Sequence, residues 1–142
     1  MNKIEYYTEF IMDAIDDQIE NAKMLERFIP DEYKSLKHHR DEVQTLKFYF
    51  PRRTGKTTIC MNLLKRLDKA LLICGSPNGY RCILNEFKPS DELKERIYRL
   101  NDSRMLPEMK TLIIDDATFA DKEMLKLLYG GLPPVKTIVL IG

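Results

Sequence analysis

Residues 45–67 read TLKFYFPRRTGKTTICMNLLKRL, and this stretch decides the fold. Leu46, Phe48 and Phe50 alternate with Lys47 and Tyr49, and all but Lys47 are apolar or aromatic, which fits a mostly buried strand. Pro51 stops the ladder, because proline has no N–H to contribute. Ile59, Leu63, Leu64 and Leu67 recur at helical spacing and predict a helix after Gly55-Lys56-Thr57-Thr58. A turn between such a strand and helix gathers backbone N–H groups at a helix start. They and the helix dipole favour an anion there.

The chemistry expected of such a turn is phosphate binding. The full pattern is glycine, four residues, then Gly-Lys-Ser/Thr, and here Phe50 replaces the first glycine. In this reading the N–H groups of Thr54 to Thr58 form the anion cradle. Lys56 sits on the β- and γ-phosphates, and the Thr57 hydroxyl ligates Mg²⁺. The Thr58 side chain reads as a capping or packing group beside that cradle. Arg52 and Arg53 are solvated turn residues in a structural role. Inside a phosphate loop an arginine stabilises charge developing on the γ-phosphate, and the same pair can meet a nucleic-acid backbone.

Working outward, three more apolar runs follow: Ala70 to Cys74, Thr111 to Ile114, and Lys136 to Ile141. Helical faces separate them. Gly75 to Gly79 is a turn by composition; Tyr80, Ile83, Leu84 and Phe87 then give a helical face. Ser90 caps a further helix, which Leu93, Ile97 and Leu100 carry to about Leu100. Asp121 caps another, with Met124, Leu125 and Leu128 inward and Gly130 and Gly131 at its end. This alternation predicts an α/β fold, a parallel sheet of about four strands with helices on both faces. Ligands lie at the carboxyl ends of such strands. The turn at Gly55 and the pair Asp115-Asp116 both fall on that edge. Asp115 would hold a metal directly or through water, and Asp116 would orient the attacking water. The competing reading of the pair is a strand end followed by a helix cap.

The segment before the core is helical. Ile4, Tyr7, Phe10, Ile11, Ile15, Ile19, Ala22 and Leu25 recur over residues 3–28 at steps of three and four, opposite an acidic face. Such a helix either packs on its own domain or binds a partner. Residues 31–44 form a polar, helical link with a basic cluster at Lys34, Lys37, His38, His39 and Arg40. The expected organisation is a helical segment over 1–44 and a core over 45–142. Gln44 stands before the first strand, where it is a candidate contact to the base. The chain has 142 residues and net charge +1, so no global basic field calls for nucleic acid. Cys60, Cys74 and Cys82 lack the paired spacing of a metal clip and read as reduced core or near-core thiols in a cytoplasmic protein. No apolar run is long enough to span a bilayer.

At these residues the chain resembles the additional-strand class of P-loop ATPases. Pro51-Arg52-Arg53-Thr54-Gly55-Lys56-Thr57 is similar to the deviant Walker A motif of viral terminase large subunits, which are DNA-packaging ATPases. Leu112 to Asp116 resembles Walker B with the catalytic position, where the family usually has Glu. The resemblance implies that Arg52 acts in cis on the γ-phosphate, and that strand four inserts between strands one and three to give the order 1-4-3-2. It implies a Mg²⁺-dependent ATPase working on or with DNA, in a homo-oligomer or beside a partner ATPase. Terminases continue past the position of Gly142 into a coupling motif, so the expectation includes a small relative, a truncated piece or a degenerate copy. The alternative is a non-catalytic nucleotide-binding protein that meets a partner through its N-terminal helix.

Overall fold

The computed structural model describes residues 2–26, 44–51, 54–102, 104–117, 122, 126, 131–133 and 135–142. The basic link at 31–43, the two arginines of the turn and most of the expected helix from Asp121 lie outside them. In chain order the elements are α1 (Lys3–Glu26), β1 (Thr45–Phe48), α2 (Lys56–Arg66), β2 (Ala70–Cys74) and α3 (Pro77–Cys82). A π-helical turn over Ile83–Phe87 follows, then α4 (Asp91–Lys94), β3 (Ile97–Arg99), β4 (Thr111–Asp115) and β5 (Thr137–Ile141). All pairings are parallel, in the order β1-β5-β4-β2-β3.

The four expected strands stand in the expected sequence, β5 lying between β1 and β4. The fifth, β3, corrects the reading of 91–100 as one helix: α4 is a single turn, and Ile97–Arg99 is extended. Leu93, Ile97 and Leu100 fit a helical face. A short buried strand has no period of its own with which to contradict it. The free edge of β2 decides the matter. Leu72 pairs with Ile97, and the Leu72 N–H donates to the Arg96 carbonyl at 2.9 Å. The Arg96 guanidinium also donates to the carbonyls of Ala70 and Leu64, at 2.9 and 2.7 Å. The first strand also ends earlier than expected, at Phe48. Gly142 still donates to the Phe48 carbonyl, and Phe50 to that of Gly142.

Both sheet faces are buried. On one, α1 and α2 enclose Ile11, Ile15, Ile59, Leu63 and Leu64 with Leu72, Ile113 and Val139. On the other, Leu112, Ile114 and Ile138 pack with Tyr98, Met109, Leu132 and Val135. Thus α1 packs on its own core. Its polar residues are also tied in: the Thr137 hydroxyl donates to Gln18 Oε1 at 2.6 Å, and Glu9 pairs with Arg66 at 2.6 Å. Cys60 and Cys74 are buried free thiols as expected, whereas Cys82 is exposed. No helix among the described residues is long and apolar enough to cross a membrane.

Beyond β3, Arg104 stacks its guanidinium 4.1 Å from the Tyr98 ring centre and donates to Asp102 through Nε and Nη2 at 3.1 and 2.8 Å. These bonds hold the Asp102 carboxyl down at about 2, below its ordinary 3.8.

Two outcomes follow for stability. Ile15→Ala, which empties a buried position on the inward face of α1, is expected to lower unfolding free energy by about 2–5 kcal/mol in urea melts. The Asp102–Arg104 contribution is present above pH 3.8, the unfolded value, and disappears as pH falls through about 2. The stability difference between the parent and Asp102→Asn should therefore shrink across that interval.

Candidate phosphate and metal site

The register places five residues in one row across the carboxyl edge: Phe48, Ile141, Asp115, Cys74 and Arg99. The chain leaves β1 for the glycine turn, β2 for Gly75-Ser76 and β4 for Asp116 from that row. From β1 to β2 is three strand steps, about 14 Å at about 4.8 Å each. Helix α2 makes this crossover and so passes above β4. That path brings the Thr57 hydroxyl to Asp115, where it donates to Oδ2 at 3.1 Å. Two residues 58 positions apart, each singled out by motif, thus meet in space.

Gly55 makes the turn possible. Its φ of +85° is left-handed, and it precedes α2 with no side-chain cap on the helix start. The N–H groups of Lys56, Thr57 and Thr58 belong to the first turn, which has no intrahelical acceptors. The Thr54 hydroxyl donates to the Pro51 carbonyl and closes the turn on itself. Lys56 and Thr58 are half-buried, and no ion pair among the described residues engages Lys56. Arg52 and Arg53 lie outside the described residues.

Asp115 is buried, at 1% exposure. Its carboxylate accepts from Thr57, from the Asp116 N–H at 2.9 Å and from the Cys60 thiol. All three donors are neutral. Burial, and then the charge of Asp116, push the Asp115 carboxyl above its ordinary range. The same burial raises the Cys60 thiol, and takes that of Cys74 up to about 12, so neither is a nucleophile at neutral pH. A buried carboxylate beside a second carboxylate, with only neutral donors, fits a cation. Asp115 and the Thr57 hydroxyl are oxygen donors suited to a hard divalent ion. Among the described residues no cluster of three or more His, Cys, Asp or Glu forms a self-sufficient cage. An ion here would keep water or ligand oxygens in its shell.

Asp116 has a φ of +53°, in the left-handed region. Its Oδ2 accepts from the Ser76 hydroxyl at 3.0 Å, and Ser76 Oγ in turn accepts from the Gly79 N–H at 3.1 Å. Ser76 therefore caps α3 and holds Asp116 with one oxygen. The sequence reading of 75–79 as a plain turn missed it. The signal was present: serine before Pro77, at the end of an apolar run, is a helix start on the ligand-bearing edge. Gly75 is equally constrained, since a Cβ there would lie 2.6 Å from the Asp115 carbonyl oxygen and 2.8 Å from that of Asp116. Gln44, by contrast, is a misplaced candidate. Its Nε2 donates to the Val135 carbonyl at 2.8 Å, and it stands at the amino edge, away from the turn.

A cavity of about 470 Å³ opens on the other face of the sheet, between Tyr98, Arg104, Leu106 and Leu132. None of Thr57, Asp115 and Asp116 lines it. Chemistry rather than concavity marks the carboxyl edge as the candidate site.

No protein-family model matches the chain, and comparison with curated proteins gives no match.

The two glycines separate by test. Gly75→Ala meets rigid backbone and should displace the Asp115-Asp116 turn, with a large fall in melting temperature and loss of any ligand response. Gly55→Ala adds left-handed strain of about 1–2 kcal/mol, and its Cβ meets only the flexible end of Ile4. It should remain folded.

Proposed function

We propose that this protein binds a nucleoside triphosphate with Mg²⁺ and hydrolyses it, with ATP as the nucleotide that the resemblance suggests. The observation that carries the reading is the Thr57–Asp115 hydrogen bond at the carboxyl edge of a parallel sheet. It joins the hydroxyl after the lysine to a buried acid two strands away. Neither motif alone requires that meeting.

In this reading the N–H groups of Thr54 to Thr58 hold the phosphates, with Arg53 beside them, and Lys56 neutralises the β- and γ-oxygens. Thr57 and Asp115 would hold Mg²⁺, which when bound offsets charge on the phosphates. Asp116 orients the water, and Ser76 fixes the carboxylate that does so. Arg52 meets the charge developing on the γ-phosphate. Basic residues of the turn offer contacts to DNA, in a homo-oligomer or beside a partner ATPase, in a cytoplasmic setting that keeps three thiols reduced. A second reading, nucleotide binding without turnover, has its own observation: the Asp116 side chain is engaged by Ser76.

Titration calorimetry and phosphate release separate the two. Lys56→Ala should abolish Mg-ATP binding. Asp116→Asn should keep binding and lower turnover by about 100-fold or more. Binding by the parent without any release would leave only the second reading. If neither parent nor variant binds Mg-ATP, both fall.

A further inference from the structure

Against the glycine turn lies a cluster of aromatic rings that the phosphate chemistry does not use. Tyr7 packs on Phe50 with ring centres 4.9 Å apart, Phe50 stacks on Phe48 at 6.5 Å, and Phe10 meets Phe48 edge-on at 6.2 Å. Tyr6 adds a T-shaped contact to Tyr7 at 5.8 Å. Packing explains the three half-buried rings, Tyr7, Phe48 and Phe50. It does not explain Tyr6 and Phe10, which are 58% and 53% exposed. They stand four residues apart on α1 and so share one face.

The cluster is continuous with the turn. A Cβ on Gly55 would come 2.9 Å from Ile4 Cδ1, so the first turn of α1 rests on the glycine itself. Tyr7 follows Ile4 by three residues, about 4.5 Å along the helix. Phe50, at the position where the usual pattern has its first glycine, is the ring that joins strand and helix. A base tethered to phosphates on this turn has to lie within a nucleotide's length of it, and this aromatic surface lies there.

We propose that Tyr6 and Phe10, backed by Tyr7, Phe48 and Phe50, form the platform for the base of the bound nucleotide, and that it selects purines over pyrimidines. The proposal rests on the phosphate reading above. Offset stacking on a tyrosine or phenylalanine face rewards ring area and ignores the exocyclic groups. Adenine and guanine are therefore accepted alike.

The experiment compares Mg²⁺ complexes of ATP, GTP, CTP and inorganic tripolyphosphate by calorimetry. ATP and GTP are expected to bind about tenfold tighter than tripolyphosphate, and CTP in between. Tyr6→Ala/Phe10→Ala should bring ATP to the tripolyphosphate level and leave tripolyphosphate within about twofold of the parent. Met105→Ala, 93% exposed near the opposite edge of the sheet, should change neither. The chain has no tryptophan, so Tyr6→Trp supplies a single indole while keeping the platform. Its fluorescence should be quenched by ATP and not by tripolyphosphate, which tests the idea even if the double variant unfolds. Equal binding of ATP and tripolyphosphate by the parent overturns the platform; if Lys56→Ala then abolishes both, the phosphate reading stands. A double variant that weakens both ligands equally, or that alters self-association without altering ATP affinity, also overturns it. If no ligand binds the parent, the phosphate reading fails and the platform with it.

Discussion

The arrangement depends on the register of five parallel strands. A slip of one residue in β4 would carry Asp115 about 3.3 Å along the strand and to the other face. Thr57 could not follow, because α2 is fixed by its own buried row of Ile59, Leu63 and Leu64. Strand order matters as much as register. With β5 inserted beside β1, the helix after β1 must cross β4 to reach β2, and its first turn arrives above the acid. The hydrogen bond between them is a product of topology before it is a product of motif.

That topology brings together groups that disfavour one another. Asp115 is buried among a hydroxyl, an amide and a thiol, with Asp116 adjacent in sequence and held in a left-handed conformation. Neutral donors satisfy the lone pairs of a carboxylate but leave its charge. Burial of that kind is unfavourable for the isolated fold and useful to a site that receives a cation. Ser76 works at lower stakes. Its hydroxyl links the helix start after β2 to the acid after β4, so two exits from the sheet share one oxygen.

Much of this was legible in the sequence. Four strands, the turn at Gly55 and the placing of Thr57 and Asp115 on one edge follow from apolar runs, a glycine before a lysine, and the rule that parallel sheets bind at their carboxyl ends; the strand order followed only from the resemblance to the additional-strand ATPases. The misses have local causes. Ile97 to Arg99 is too short to show a period, and its strand form comes from a partner, β2, that pattern reading cannot weigh. Ser76 and Gly75 looked like loop filler because their importance is a distance to residues 40 positions on. Gln44 was placed by nearness in sequence to the first strand, although a parallel strand is entered at its amino edge and such sheets bind at the carboxyl one. The role of α1 was visible as amphipathicity; that its first turn would rest on Gly55 was not.

The buried carboxylate has one further consequence. An ion that binds the folded chain and not the unfolded one shifts the folding equilibrium by mass action, by about 2.7 kcal/mol at a hundredfold excess over its dissociation constant. Were Asp115 to receive such an ion, as proposed, melting temperature would become a gauge of divalent-ion occupancy that needs no nucleotide and no turnover. The protein would then carry its own thermometer for the metal, read at the acid that its own donors leave charged.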